Sequence, residues 1–139
     1  WRHVKVTERH TAIDYAHAFQ DLADRHFPQA KKIILVQDNL NTHKPASLYE
    51  AFPPAEARRL VERFEWHFTP KHGSWLDMAE SELSVLASQC LDRRIPDTHV
   101  LTAEVAAWEA ERNTNNTQAD WQFTTDNARI KLKHLYPSI

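Results

Sequence analysis

The chain has 139 residues, 42% of them hydrophobic and 26% charged, with a formal net charge of -2. That balance fits one globular domain and excludes a disordered chain, a collagen-like repeat and a disulfide-stapled miniprotein. Lys and Arg total 17 against 19 Asp and Glu, so no whole-domain basic field exists, and the single cysteine, Cys90, cannot form an internal disulfide.

The chain opens Trp1-Arg2-His3 without an initiator methionine, which reads as a piece of a longer protein. No run of 18 apolar residues and no secretory leader is found in it. Residues 2–8 alternate in type and predict an edge or hairpin strand. Thr11 then opens a helix to about Phe27, with Ala12, Tyr15, Ala16, Phe19, Leu22 and Ala23 on one apolar face, and Pro28 closes it. The run Ile33-Ile34-Leu35-Val36 predicts a strand buried on both faces, ending abruptly at Asp38-Asn39. A loop follows through Ser47. Pro53-Pro54 begins a helix to about Phe64, and Glu65–Thr69 reads as another short strand.

Pro70 and Gly73 punctuate the next turn. Gly73 is the only glycine, which excludes the glycine-rich phosphate loops. Ser74 is the expected N-cap of a helix to about Arg93, with Leu76, Ala79, Leu83, Leu86 and Cys90 as its apolar stripe. Another helix is expected from Thr98 to Asn113, with Leu101, Val105 and Trp108 inward. Asn113–Gln118 reads as a polar, mobile loop. Trp121-Gln122-Phe123 precedes a basic helix, Asp126 to about Leu135, carrying Arg129, Lys131, Lys133 and His134. This order of elements argues an α/β fold with part of the sheet parallel.

Asp38 is the first candidate for chemistry. It ends a buried strand, where open α/β sheets place ligand-binding groups, and a carboxylate there can hold Mg²⁺. The plainer reading is turn chemistry, since Asp-Asn favours turns. Glu80 and Glu82 fall almost symmetrically on the two shoulders of the apolar stripe, so periodicity cannot choose between them. Asp77 shares a face with Glu80. His43 lies five residues after Asp38 and could orient a phosphate or a water. The nine histidines form no HExxH or CxxC-type pattern, which argues against zinc. No GxSxG surrounds a serine, and Cys90 sits on the core stripe. Trp66, Trp75, Trp108 and Trp121 read as core or interface. Lys44, Lys71, Arg93 and Arg94 are expected to flank the carboxylates, a rim that would suit a phosphodiester.

The segments VQDNLNTHKPASLYEAFPP, FTPKHGSWLDMAESELSVL and QCLDRRIPD resemble the catalytic domain of IS630-type bacterial insertion-sequence transposases, relatives of Tc1/mariner. The resemblance covers nearly the whole chain as one domain, 1–139. It implies an RNase H-like mixed sheet flanked by helices and a DDE-type enzyme using two Mg²⁺ ions, replaceable by Mn²⁺. Phosphodiester cleavage and strand transfer at transposon ends would follow, with DNA as partner, a homodimeric assembly and a cytoplasmic, nucleoid-associated setting. By the same resemblance Asp38 is the second carboxylate and metal ligand and Glu80 the third. Asn39 and His43 shape the loop, and Glu82 is a bystander. Lys44, Lys71, Arg129, Lys131 and Lys133 are candidate phosphate contacts. Asp77 departs from the family's asparagine. No Asp precedes the first helix on a strand, and Glu8 is a poor substitute. The first carboxylate, the first strand or strands and a helix-turn-helix region are therefore expected upstream. A two-carboxylate remnant would bind metal weakly and leave DNA uncut. The alternatives are another RNase H-like nuclease or resolvase, and a catalytically silent binding or assembly module. An uncovered sheet edge would favour dimers.

Overall fold

The computed structural model describes residues 1–70, 73 and 76–133. Six α-helices and two strands run in the order α1 (Ala12–Asp21), β1 (Ile33–Gln37), α2 (Ala46–Ala51), α3 (Pro54–Arg63), β2 (Phe64–Phe68), α4 (Met78–Leu86), α5 (Thr98–Thr114) and α6 (Thr125–Lys131). None of the described helices is long and apolar enough to cross a membrane. The α/β character is therefore as expected, but the sheet is small. β1 and β2 form one parallel pair, with Ile33 opposite Phe64 and Gln37 opposite Phe68. The connection through α2 and α3 makes this a βαβ unit.

Local chemistry sets the element ends. Thr11 caps α1 in a capping box: its hydroxyl accepts Asp14 N at 3.2 Å, while Asp14 Oδ2 accepts Thr11 N at 2.9 Å. α1 then widens into a π-turn, Leu22–His26, closed by Phe27 N donating to Leu22 O at 2.9 Å. Gly73 stands where a Cβ would lie 3.0 Å from the carbonyl oxygen of Pro70, so the close approach asks for glycine. At the end of α5 the left-handed residue is Asn116 (φ 46°). Thr117 N donates to Arg112 O and Asn116 N to Asn113 O, which is the Schellman pattern. The expected mobile loop after Asn113 is thus an ordered helix stop.

Two hydrophobic clusters form. The first packs α1, α2 and α3 onto one face of the sheet through Ala16, Phe19, Ala23, Leu48, Ala57, Leu60 and Phe64, with Ile33, Leu35 and Trp66 against it. The second joins Leu86, Cys90, Val105 and Trp108 of α4 and α5 to Val4 and Val6. Leu101, Val105 and Trp108 face inward as the spacing predicts.

Four expectations are corrected. Residues 2–8 are extended but belong to no sheet. Their alternation is real, with Arg2, Val4 and Val6 half-buried between exposed neighbours, but their backbone partners are side chains of α5. Asn113 accepts Arg2 N at 2.7 Å and donates to Arg2 O at 2.8 Å, and Glu109 accepts Val4 N at 2.6 Å. Period-two burial thus appears without a ladder. Second, β1 is buried on one face only: Ile34 is 69% and Val36 56% exposed. α4 and α5 pack on their own cluster and on the N-terminal strap, not over the sheet. Among the described residues Val36 shares a groove with Met78, Trp121 and Phe123. Third, the loop after Asp38 ends in a short helix, α2, whose Leu48 is fully buried. Six residues are too few for a periodic signal. Fourth, α4 starts at Met78 and passes into a π-turn, Ala87–Leu91, with Asp77 as N-cap. Ser74, the expected cap, lies outside the described residues, as do Trp75 and the basic helix beyond Lys133.

Candidate active site

Asp38 leaves the carboxyl end of β1 and enters a loop held in a fixed shape. Its Oδ1 pairs with His43 Nδ1 and lies 3.5 Å from Leu40 N. His43 N donates to Leu40 O at 2.9 Å, closing the turn. Its ring stacks on Tyr15 of α1, centroids 4.8 Å apart, with His10 edge-on at 6.0 Å. Beneath the loop lies Gln37, a buried amide at the last position of β1. Gln37 accepts Tyr15 Oη at 2.6 Å and donates to His43 O at 3.0 Å. Burial pushes the Tyr15 phenol pKa up, with Asp38 adding to the rise, so the hydroxyl stays a neutral donor to Gln37. Asp38 Oδ2 has no hydrogen-bond partner among the described residues. Asn39 is exposed beside it.

Sequence reasoning placed Asp38, Asn39 and His43 together, and they are together. It missed Tyr15 and Gln37 as parts of this site. The available signal was a glutamine ending an aliphatic run, since a buried amide must find partners.

Glu80 lies in the first turn of α4 and is exposed, and its carboxylate has no partner among the described residues. Asp77 does not join it as a second acid: its Oδ1 accepts Ala79 N at 3.0 Å as the helix cap. Glu82 is half-buried and engaged. Arg2 grips it with Nε at 2.6 Å and Nη2 at 2.9 Å, and Arg112 Nη2 adds a contact at 3.1 Å. Arg112 itself lies 5.2 Å over the Trp108 ring. The bonds from Arg2 and then from Arg112 hold the Glu82 pKa down to about 2.

Asp38 belongs to the first hydrophobic cluster's half of the molecule and Glu80 to the second's. Among the described residues no three His, Cys, Asp or Glu side chains gather as a metal cluster. As donors, the two carboxylates are hard oxygens of the type Mg²⁺ takes.

The cationic rim is dispersed. Lys44 is exposed near the loop. Arg93 pairs with Glu104 at 2.5 Å. Arg93 lies past the end of α4 and its π-turn, and this pair ties it to α5. On α6 Arg129 pairs with Asp126 at 3.1 Å, and Lys131 and Lys133 are exposed. Lys71 lies outside the described residues.

Compared with known families, residues 1–102 match the family described as DDE superfamily endonuclease. Neither the curated proteins nor the solved structures gave a match.

Proposed function

The chain belongs to the DDE superfamily endonucleases, enzymes that act on DNA, and from that footing we propose that it is the catalytic-domain portion of an IS630-type DNA transposase. The observation that carries the reading is a pair of carboxylates left open: Asp38 Oδ2 at the loop and the Glu80 side chain at the head of α4 have no partner among the described residues. Asp38 and Glu80 would hold a divalent cation, which when bound activates an attacking oxygen and stabilises a leaving one. The residues of the chain do the positioning. His43 takes one Asp38 oxygen and so fixes the direction of the other. Tyr15 and Gln37 hold His43 from below. Asn39 lines the same loop. Lys44 and Lys71, with Arg129, Lys131 and Lys133 of the terminal helix, supply phosphate contacts. The Arg129–Asp126 pair is surface-exposed and therefore weak enough to exchange for a phosphate. In the whole transposase this arrangement serves Mg²⁺-dependent cleavage and strand transfer at element ends.

The test is a Mn²⁺ titration of the chain read by electron paramagnetic resonance, with Asp38→Asn and Glu80→Gln beside it. The native chain should bind weakly, and each substitution should weaken binding at least tenfold, while Glu62→Gln, on the exposed face of α3, leaves it within about threefold. Equal binding by Glu80→Gln would remove Glu80 from the site. No binding by the native chain would favour the silent-module alternative.

Homodimerisation is part of the same reading. The sheet has two strands, so the outer edges of β1 and β2 are both unpaired among the described residues, beside exposed Ile34 and Val36. Such edges pair with other chains. Light scattering should give a dimer mass that rises with concentration, and Val36→Lys should shift it to the monomer. A monomer at all concentrations would reject the dimer.

A further inference from the structure

The head of α4 carries Glu80, yet almost nothing apolar holds it. Met78 is 49% and Leu83 57% exposed, and Ala79 is exposed as well. The first buried side chain is Leu86, at the far end of the helix. A cleft of about 640 Å³, lined among others by Trp1, Val4, Met78, Leu83 and Trp108, separates these first turns from the N-terminal strap. A polar contact bridges the cleft: the two-point grip of Arg2 on Glu82, backed by Arg112 from α5. The strap is itself anchored at both ends of the bridge. Asn113 and Glu109 hold its backbone to α5, and Lys5 Nζ reaches Asp21 Oδ2 of α1 at 2.8 Å.

We infer that Glu82 is a positioning residue, which through Arg2 and Arg112 fixes the rotation of α4 about its axis and so the direction in which Glu80 projects. Residues two apart on a helix point about 200° apart. Pulling Glu82 into the cleft therefore turns Glu80 out to solvent on the opposite side. A planar guanidinium meeting a carboxylate at two atoms constrains direction as well as distance, which a single apolar contact would not. Because Arg2 lies on the strap that also reaches α1, the same grip ties the half bearing Glu80 to the half bearing Asp38. The inference rests on the metal-site reading above only for what Glu80 does, not for how it is held.

The experiment measures geometry and metal binding separately. Spin labels on Ser81→Cys and Ala55→Cys, both exposed positions, in a Cys90→Ala background report the distance between α4 and α3. The native pair should give one narrow distribution. Glu82→Gln should at least double its width, and Arg2→Ala should do the same. Arg2→Lys, which keeps the charge and loses the fork, should fall between. Arg2 belongs to no helix or strand, so its variants keep the test open if Glu82→Gln fails to fold. Unlabelled chains are then titrated with Mn²⁺, where Glu82→Gln should bind three- to tenfold more weakly. Unchanged widths in both Glu82→Gln and Arg2→Ala would overturn the inference. So would broadened widths with unchanged Mn²⁺ binding, since Glu80 would then need no fixed direction. A native chain that binds no Mn²⁺ but shows the narrow-to-broad change would defeat the metal reading and leave the grip standing.

Discussion

Phe64→Ala is expected to leave little folded protein at room temperature in mild denaturant. Phe64 is 2% exposed and begins β2, opposite Ile33. Its ring lies 4.7 Å from that of Phe19 and 5.7 Å from that of Trp66. The cluster that holds the sheet to the helices has only two buried side chains larger than leucine, Phe19 and Phe64. Alanine there forfeits the burial of a phenyl ring and leaves a void bounded by a strand and a helix that cannot both close on it. Such changes cost about 3–5 kcal/mol. A domain of this size holds about 5–15 kcal/mol in total, and one built on two small clusters sits near the lower end. Urea denaturation followed by tryptophan fluorescence measures this directly. A loss under about 1 kcal/mol with an unchanged slope would show that the cluster does not depend on this ring.

Acid should weaken the native chain through Glu82, and Glu82→Gln should remove that sensitivity. The Glu82 pKa is lowered from 4.5 to about 2 by hydrogen bonds from Arg2 and Arg112. A carboxylate whose folded pKa is depressed contributes stability above its unfolded pKa and loses it as pH falls through the folded one. The window therefore runs from about pH 4.5 down to about 2. The side chain of Glu82 is 22% exposed, so solvent screens part of the interaction, and the contribution is on the order of 2 kcal/mol. Glu82→Ala at neutral pH should cost about 2–3 kcal/mol, because it leaves two half-buried guanidinium groups facing each other with no anion between them. Unfolding free energies measured at pH 7, 4 and 2.5 for the native chain and Glu82→Gln decide the matter. Parallel pH curves would show that the pair contributes nothing in acid.

Much of the site was readable in the chain. The aliphatic run Ile33–Val36 identified a strand and the carboxylate just past its carboxyl end, because such side chains in succession favour a strand whether one face is covered or both. His43 five positions later was within reach of a tight turn, and the turn forms. Tyr15 and Gln37 were harder. Tyr15 reads as one more member of an apolar helix face, and nothing local reveals that its hydroxyl meets an amide from a strand 22 residues away. The pairing of Arg93 with Glu104 was equally out of reach, because it joins the segment after α4 to α5.

The sequence by itself determined much of the element order: the helix start at Thr11, the two strands, the inward face of α5, and the carboxylates on offer for chemistry. Three matters were left to the tertiary structure. One was what the alternating residues 2–8 pair with, since period-two burial is equally served by a strand or by the side chains of α5. Another was which sheet face is covered, since Ile34 and Val36 are apolar whether or not a layer reaches them. The last was which glutamate of α4 faces in. On a helical wheel Glu80 and Glu82 are equivalent. The observed inner face, Glu82 with Leu86 and Cys90, is turned by roughly 40° from the apolar stripe toward Glu82. The cause is long-range charge. Arg2 and Arg112 are 110 residues apart in the chain, and only folding brings two guanidinium groups to one side of α4.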